Sequence, residues 1–208
     1  EIHFLRIRLE FERTEIDRLV TFDPVRSIIF LLAVFIIGCD GRPNVEQIKL
    51  LDLHNSETQI NPSEYSLTVI YFLSPECPLC INYTLAMREL EDEFASNSIK
   101  FYGVFSKEWY SKEEVNEFRL KYDLDFEMLF DTELKLAKTL KAKVTPQVFV
   151  LDAESNILYS GKIDNWVNEL GKKKLEVSDR YLRNALVSCA DGQPVRPKET
   201  EPIGCLIE

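Results

Sequence analysis

Two cysteines in a C-x-x-C arrangement, Cys77 and Cys80, are the residues of this chain whose types and spacing indicate chemistry most directly. Two thiols at that spacing can close a disulfide and reopen it, so the pair can store and release two electrons. They follow an apolar run that breaks at Ser74-Pro75. The pattern predicts a strand that ends in a redox-active turn.

The sequence on either side of the pair predicts which cysteine attacks. Leu67–Leu73 is a continuous β-branched and aromatic run, as in a strand buried on both faces of a sheet, and apolar residues recur at helical spacing over Leu79–Phe94. Cys77 is therefore expected at a helix N-terminus, where free N–H groups and the helix dipole stabilise a thiolate. Pro78 suits the first helical turn. We predict that Cys77 is the nucleophile and that Cys80 resolves the mixed disulfide.

Other uses of a C-x-x-C pair fit this sequence less well. Zinc needs four ligands, but Cys189 and Cys205 are too widely spaced for a second pair, and the only histidines are His3 and His54. Haem attachment would require histidine where Ile81 stands. An inert structural disulfide stays open as an alternative. We expect no bound metal.

Composition bounds the fold and the class of partner. With 208 residues, 45 % of them hydrophobic, the chain can form one well-packed domain with flanking segments. The formal net charge of −10 argues against nucleic acid, because its phosphates favour a basic protein surface. We therefore expect no nucleic-acid partner.

A segment near the N-terminus resembles a bacterial lipoprotein signal. Residues 25–38 contain the apolar run Ser27–Gly38, which is short for a membrane span, and Cys39 follows directly. In such proteins this cysteine is diacylated and becomes the mature N-terminus, and Asp at the next position, here Asp40, hints at retention at the inner membrane. The resemblance implies a lipid anchor at Cys39 and an extracytoplasmic place in the bacterial cell envelope, on the periplasmic face of the inner membrane. A plain signal anchor is the alternative.

The segments that flank this signal carry separate expectations. Residues 1–24 are long and acidic for the start of a signal, so we treat them as an uncertain extension and hypothesise that the native start lies near Val25. N-terminal sequencing of the unprocessed precursor would refute this by finding those residues. Residues 39–44 are expected to tether the anchor to the fold.

Residues 45–190 read as alternating strands and helices, which indicates an α/β sandwich. Ser111 is expected to cap a helix that runs to about Tyr122. Further helices are expected at Asp131 to Leu140 and at Ser178 to Cys189. Beyond the central strand, the expected strands are Val45 to Leu53 (or a tether), Ile99 to Phe105, Glu127 to Phe130, Val148 to Leu151 and Ile157 to Ile163. Residues 191–208 form a C-terminal tail.

Thr145-Pro146 directly precedes a later predicted strand and allows the fold to be compared with a specific family. Together with the Cys77–Cys80 turn, it resembles the thioredoxin-like superfamily, in which this proline is cis and lies beside the active-site cysteines. Residues 45–190 look most like its redoxin branch, the alkyl hydroperoxide reductase/thiol-specific antioxidant proteins. The resemblance implies a three-layer sandwich with a central mixed β-sheet flanked by helices. It also implies that Thr145 and Pro146 hold the backbone of a bound substrate.

Two positions depart from that resemblance near the first cysteine. Thioredoxins carry Trp directly before it and a buried acid six residues before it, where this chain has Glu76 and Tyr71. Glu76 is expected to raise the pKa of Cys77 by like-charge repulsion, against the effect of the helix dipole. Pro78 inside the motif is compatible with reductants and oxidants alike.

Two other functions stay open. Ser74 stands where a peroxiredoxin places Thr or Ser, but Ile70 replaces that family's earlier proline and Arg119 is only a loose candidate for the activating guanidinium. A thiol peroxidase is thus one alternative. A copper-delivery module is another, although it would use C-x-x-x-C and a distal histidine.

The remaining cysteines, Cys189 and Cys205, favour a disulfide that ties the tail to the last helix, because it would close a short loop in an oxidising compartment. A second interpretation makes Cys205 an auxiliary thiol that exchanges with Cys77 and Cys80. The length of the tail permits both.

These observations predict a membrane-tethered thiol–disulfide oxidoreductase that exchanges electrons with protein or small-molecule disulfides through a Cys-Pro-Leu-Cys dithiol. No cofactor is expected, because the dithiol itself carries the electrons. The expected partners are thiols or disulfides of proteins or small molecules, together with a redox partner protein.

Overall fold

The computed structural model describes residues 42–95, 98–169 and 172–207. The predicted extension (1–24), the predicted signal (25–38) and Cys39 lie outside the described residues. Within the described ranges, no helix combines the length and the apolar character that a membrane crossing requires.

The described ranges contain four α-helices and eleven β-strands. The helices are α1 (Pro78–Phe94), α2 (Lys112–Lys121), α3 (Lys135–Leu140) and α4 (Tyr181–Ala190). Single-turn 3-10 helices occupy Val45–Gln47 and Pro62–Glu64. The strands are β1 (Leu50–Asp52), β2 (Glu57–Thr58), β3 (Leu67–Leu73), β4 (Ile99–Phe105), β5 (Glu127–Phe130), β6 (Val144–Thr145), β7 (Gln147–Asp152), β8 (Ile157–Gly161), β9 (Val167–Glu169), β10 (Lys172–Lys173) and β11 (Cys205–Leu206).

Seven strands form a central mixed sheet in the order β2-β1-β5-β4-β3-β7-β8. β4 runs parallel to both β3 and β5, whereas the other neighbours pair antiparallel. β3 lies between β4 and β7 and is buried along its whole length. The predicted α/β sandwich with a mixed central sheet is confirmed.

Alternate residues of β3 contribute to two hydrophobic clusters, one on each face of the sheet. Val69 and Tyr71 belong to the cluster that includes buried residues of α1, α2 and α4. Ile70 and Phe72 belong to the other, which includes α3 and the 3-10 helix at Val45–Gln47. Because both faces are covered, β3 reads in sequence as an unbroken apolar run.

The starts of two helices show how side chains determine where an element begins. Ser111 and Glu114 form the capping box of α2, in which each side chain accepts the other residue's backbone N–H. Asp131 was predicted to begin a helix, but α3 starts at Lys135 instead. The buried Asp131 carboxylate accepts the backbone N–H groups of Leu136 (3.1 Å) and Ala137 (2.8 Å), so it caps α3 from the preceding loop.

The predicted first strand is shorter than expected, because Val45–Gln47 is a 3-10 helix and only Leu50–Asp52 joins the sheet. The C-terminal tail also contains a strand that the sequence pattern did not indicate. This strand, β11, pairs antiparallel with β6, with Cys205 opposite Thr145.

The directions of the strands bring three segments together at one end of the strands of the central sheet. β3 and β4 are parallel, so the segments that follow them begin at the same end of the sheet. The first of these segments carries Cys77, and the second is the loop 106–110. β7 is antiparallel to β3 and begins there, with Gln147 opposite Phe72. Thr145 and Pro146, which directly precede β7, therefore lie beside the end of β3.

Candidate active site

The turn after β3 places Cys77 at the N-cap of α1 and Pro78 at its first position. The Cys77 N–H donates to the Ser74 carbonyl (3.2 Å), which closes the turn, and the Cys77 carbonyl accepts the N–H of Ile81 (3.1 Å), which starts the helix. Proline costs no hydrogen bond at this point because the first N–H groups of a helix have no partner within it. The sulfur of Cys77 is thereby held at the positive end of α1.

Cys77 and Cys80 are both buried, at 1 % and 0 % exposed. Two further residues, Thr145 and Cys205, contact the Cys77 sulfur. Cys77 Sγ lies 3.1 Å from the Thr145 carbonyl oxygen. The Cys205 thiol donates to it at a sulfur–sulfur distance of 2.7 Å. The Cys77 sulfur is therefore enclosed by Cys80, Thr145 and the C-terminal tail.

Their contacts shift the pKa values of the two motif cysteines in opposite directions. The Cys80 side chain donates a hydrogen bond to Cys77 and lowers the pKa of Cys77 to about 4, although burial opposes this. Smaller contributions come from the Cys205 thiol and from the backbone N–H groups of Cys80 and Cys205. Burial, followed by the contact with Cys77, raises the pKa of Cys80 well above its usual range. These directions favour Cys77 as the thiolate and Cys80 as the neutral thiol at neutral pH.

These directions predict how alkylation of the reduced protein depends on pH. The rate for Cys77 with iodoacetamide should stay nearly constant from about pH 8 down to about pH 5, because its thiolate fraction changes little above its lowered pKa, and should fall only as the pH approaches about 4. Burial raises the pKa of the remote Cys189, so its rate should still be rising above about pH 8. Peptide mass spectrometry separates the two rates. A Cys77 rate that rises tenfold per pH unit through neutral pH would contradict the assignment.

Thr145 contacts all three cysteines of the site. Its carbonyl faces Cys77, its side chain lowers the pKa of Cys80, and its hydroxyl lies 3.5 Å from the Cys205 carbonyl oxygen. The Thr145–Pro146 peptide bond is cis, as the resemblance implied, and Pro146 is buried. The residues suggested for substrate binding therefore lie beside the cysteine pair.

The other predicted modulators have different places. Ser74 is buried, and its hydroxyl hydrogen bonds to the Tyr110 hydroxyl at 2.7 Å. Glu76 and Pro78 are exposed. Glu76 was expected to oppose ionisation of Cys77, but the pKa of Cys77 is lowered and the hydrogen bonds to its sulfur account for the direction.

The loop after β4 contributes two residues that the sequence did not single out. Tyr110 pairs with Ser74, and the charge of Lys107 acts on Cys205 by lowering its pKa. Burial and the contact with Cys77 outweigh that effect and raise the pKa of Cys205 to about 11. The only signal available was topological, since loops that follow neighbouring parallel strands meet at one sheet edge.

The Cys189–Cys205 disulfide that the sequence favoured is not present in the structure, where both cysteines are free. Burial, followed by the charge of Asp152, raises the pKa of Cys189, and Asp152 is the last residue of β7. Cys205 lies opposite Thr145, just before β7 begins. The two thiols therefore lie towards opposite ends of β7. Within the described residues, no group of three or more His, Cys, Asp or Glu side chains is arranged to hold a metal ion.

Comparison with known proteins gives one family and a set of solved structures. The model of the AhpC/TSA family matches residues 43–160. No curated protein sequence matches. A hypothetical protein from Sinorhizobium meliloti 1021 is 22 % identical, with a TM-score of 0.70 over 80 % of this chain and 92 % of that chain.

Two further solved structures extend the comparison. An uncharacterized conserved protein from Geobacillus kaustophilus is also 22 % identical, with a TM-score of 0.70 over 80 % of this chain and 91 % of that one. A secreted disulfide oxidoreductase from Mycobacterium tuberculosis is 14 % identical, with a TM-score of 0.50 over 70 % of this chain and 96 % of that one. At these identities the structural matches establish the fold.

Proposed function

The chain belongs to the AhpC/TSA family, and on that premise we propose that it is a thiol–disulfide oxidoreductase that uses Cys77 and Cys80 as its redox couple. The Cys77 thiolate attacks a disulfide of a protein or small molecule, and one substrate sulfur leaves as a thiolate. Cys80 then attacks Cys77, forms the Cys77–Cys80 disulfide and releases the second substrate sulfur. The substrate gains two electrons, and the same steps in reverse oxidise a dithiol.

The observation that supports this proposal is the contact between the two buried cysteines. The hydrogen bond from Cys80 is the main cause that lowers the pKa of Cys77, whereas burial, followed by that same contact, raises the pKa of Cys80. Exchange needs one thiolate that attacks and a second thiol that stays protonated until the mixed disulfide has formed. Once Cys77 is bound to substrate, its negative charge is gone, and so is one cause of the raised pKa of Cys80. The two cysteines thus act in order.

Thr145 and Pro146 complete the proposed site. Their position beside Cys77 supports a role in holding the main chain of a substrate, since β6 is a short strand whose backbone can pair with an extended segment. We assign substrate binding to these two residues. Ser74 and Pro78 shape the turn that presents Cys77.

The proposed setting is the outer face of a membrane. The apolar run before Cys39 supports lipidation at that residue, and a secreted relative of the same fold accords with an extracytoplasmic site. A bacterial cell-envelope location, anchored at the periplasmic face of the inner membrane, would allow the disulfide states to persist. The redox partner is a second thiol protein in that compartment.

Titration of the full chain in glutathione redox buffers tests the function. After alkylation and peptide mass spectrometry, Cys77 and Cys80 should change state together as one reversible two-electron couple, whereas Cys189 should stay reduced until more oxidising conditions. The proposal would be contradicted if peroxide oxidised Cys77 to a sulfenic acid and no Cys77–Cys80 disulfide formed. That result would establish the peroxidase alternative, although Ser74 is paired with Tyr110 and Arg119 with Asn116.

A further inference from the structure

The C-terminal tail is fixed to the fold well before it reaches the site. Thr200 accepts the Lys162 N–H on its hydroxyl (2.9 Å), hydrogen bonds to the Tyr159 hydroxyl (2.7 Å), and donates its own N–H to the Ser160 carbonyl (3.0 Å). Gly161 lets the tail come this close, because a Cβ at that position would overlap Thr200. The tail therefore leaves β8 from a defined point.

Its last residues dock as a strand against the site. β11 pairs with β6, and the Ile207 N–H donates to the Lys143 carbonyl at 3.0 Å. Gly204 permits the approach, since a Cβ there would overlap the carbonyl of Thr145. The same pairing sets Cys205 opposite Thr145, the residue whose carbonyl contacts Cys77.

The docked strand occupies the edge that an extended substrate would use. Adding a strand to a free edge is a common way to bind a peptide, with main-chain hydrogen bonds for affinity and one side chain directed at a specific feature. Here the added strand belongs to the protein itself, and the side chain at that point is a thiol whose sulfur lies 2.7 Å from Cys77 Sγ.

We propose that Cys205 is a third redox cysteine, which the tail delivers to Cys77 as a built-in substrate and second resolving thiol. This inference rests on the proposed function and extends it. The protein then holds its oxidised state in two alternative disulfides, Cys77–Cys205 and Cys77–Cys80. The same docking covers Cys77, which is 1 % exposed, so the tail also controls access to the nucleophile.

Each exchange balances without another reagent. After Cys77 has attacked a substrate disulfide, the Cys205 sulfur attacks Cys77 Sγ, the bond from Cys77 to the substrate breaks, and the substrate thiolate leaves with the proton that Cys205 gives up. The Cys80 sulfur then attacks Cys77 Sγ, the Cys77–Cys205 bond breaks as the Cys77–Cys80 bond forms, and Cys205 leaves with the proton that Cys80 gives up. Cys205 ends reduced, and the substrate has gained two electrons.

The test uses the reduced full chain with Cys39→Ser, so that this cysteine cannot interfere, and one equivalent of glutathione disulfide. In Cys80→Ser, glutathione bound to Cys77 should be released quickly and Cys77–Cys205 should accumulate. In Cys80→Ser/Cys205→Ser the Cys77–glutathione adduct should last at least about 100-fold longer, because no resolving thiol remains in the site. Peptide mapping over time reports both species. Equal adduct lifetimes in the two variants would overturn the proposal.

Two additional variants guard against a folding defect as the explanation. Gly204→Ala in the Cys80→Ser chain keeps every thiol but pushes β11 off Thr145, so it should slow formation of Cys77–Cys205. Cys189→Ser in the same chain changes a thiol outside the site and should leave that rate as it was. Two results together would refute the role of the tail. Gly204→Ala would leave the rate of Cys77–Cys205 formation unchanged, and the chain that retains Cys80 would form no Cys77–Cys205 disulfide.

The proposed function and this inference fail in different ways. If Cys80 resolves the adduct and Cys205 never does, the function stands and the inference falls. If Cys77 takes up no glutathione in any variant, both fall, because the nucleophile itself is then misassigned.

Discussion

Replacing Cys77 with serine should lower the rate of disulfide reduction by at least about 10³-fold, because loss of a nucleophile removes the covalent step itself. A serine hydroxyl stays protonated under the hydrogen bonds that ionise Cys77, and it forms no disulfide. Turnover of a mixed or small-molecule disulfide by the reduced full chain, followed through thiol release, measures the effect. Cys80→Ser should be less damaging, since Cys205 can still resolve the adduct.

The matched control for this prediction is Cys189→Ser. Cys189 is a free, half-buried thiol near the far end of β7, so its loss should leave the rate within about twofold of the unmodified chain. If Cys77→Ser kept more than a tenth of the activity while Cys189→Ser lost most of it, the wrong cysteine would have been assigned.

Removing residues 203–208 should accelerate alkylation of Cys77 by roughly 30- to 100-fold at about pH 8. With the tail in place, a reagent reaches Cys77 only after β11 has opened, and two or three backbone hydrogen bonds at about 1 kcal/mol each hold it shut. Cys77 stays ionised without Cys205, because the hydrogen bond from Cys80 is the largest cause of its low pKa. Alkylation rates resolved by peptide mapping measure the change.

Two thiols in the same sample serve as internal controls for the truncation. Cys80 is buried beneath the turn and Cys189 lies outside the site, so neither rate should change much if only β11 has been lost. A parallel rise at all three cysteines would mean that the truncation unfolds the domain. An unchanged Cys77 rate would mean that the tail does not cover the nucleophile.

The parts of the site that were predictable are those with local signals. The apolar run of β3, the break at Ser74-Pro75 and the helical spacing after Cys80 place a strand, a turn and a helix within one continuous stretch. Ser111 and Glu114 likewise indicate the start of α2, through a capping pattern that spans three residues. Short-range chemistry of this kind depends little on the rest of the fold.

The tail was not predictable because its pairing is purely long-range. Cys205 meets Cys77 and Thr145 through a two-residue strand, which is too short for an alternating pattern, and its partner β6 is equally short. The shortest loop favoured Cys189 as its partner. The fold overrides that preference, because the tail is anchored along β8 and directed to the other end of β7. Gly204 permits the close approach to Thr145, but a glycine in the sequence does not identify the carbonyl that it accommodates.

A similar distinction applies to the chemistry. The helix N-terminus was the reason to expect a lowered pKa at Cys77, but the main cause of the lowering is the Cys80 thiol, and Cys205 adds to it. Charge repulsion from Glu76 looked significant in sequence because the two residues are adjacent. In the fold Glu76 is exposed to water, where its charge has little effect on a buried sulfur.

The most direct test of the redox assignment is a time-resolved single turnover of the reduced, unmodified full chain with one equivalent of glutathione disulfide, quenched in acid and mapped by peptide mass spectrometry. The first adduct should be glutathione on Cys77, and it should decay into disulfides between Cys77 and Cys80 or Cys205 as the second glutathione is released. A first adduct on any other cysteine, or no adduct on Cys77 at all, would contradict the assignment.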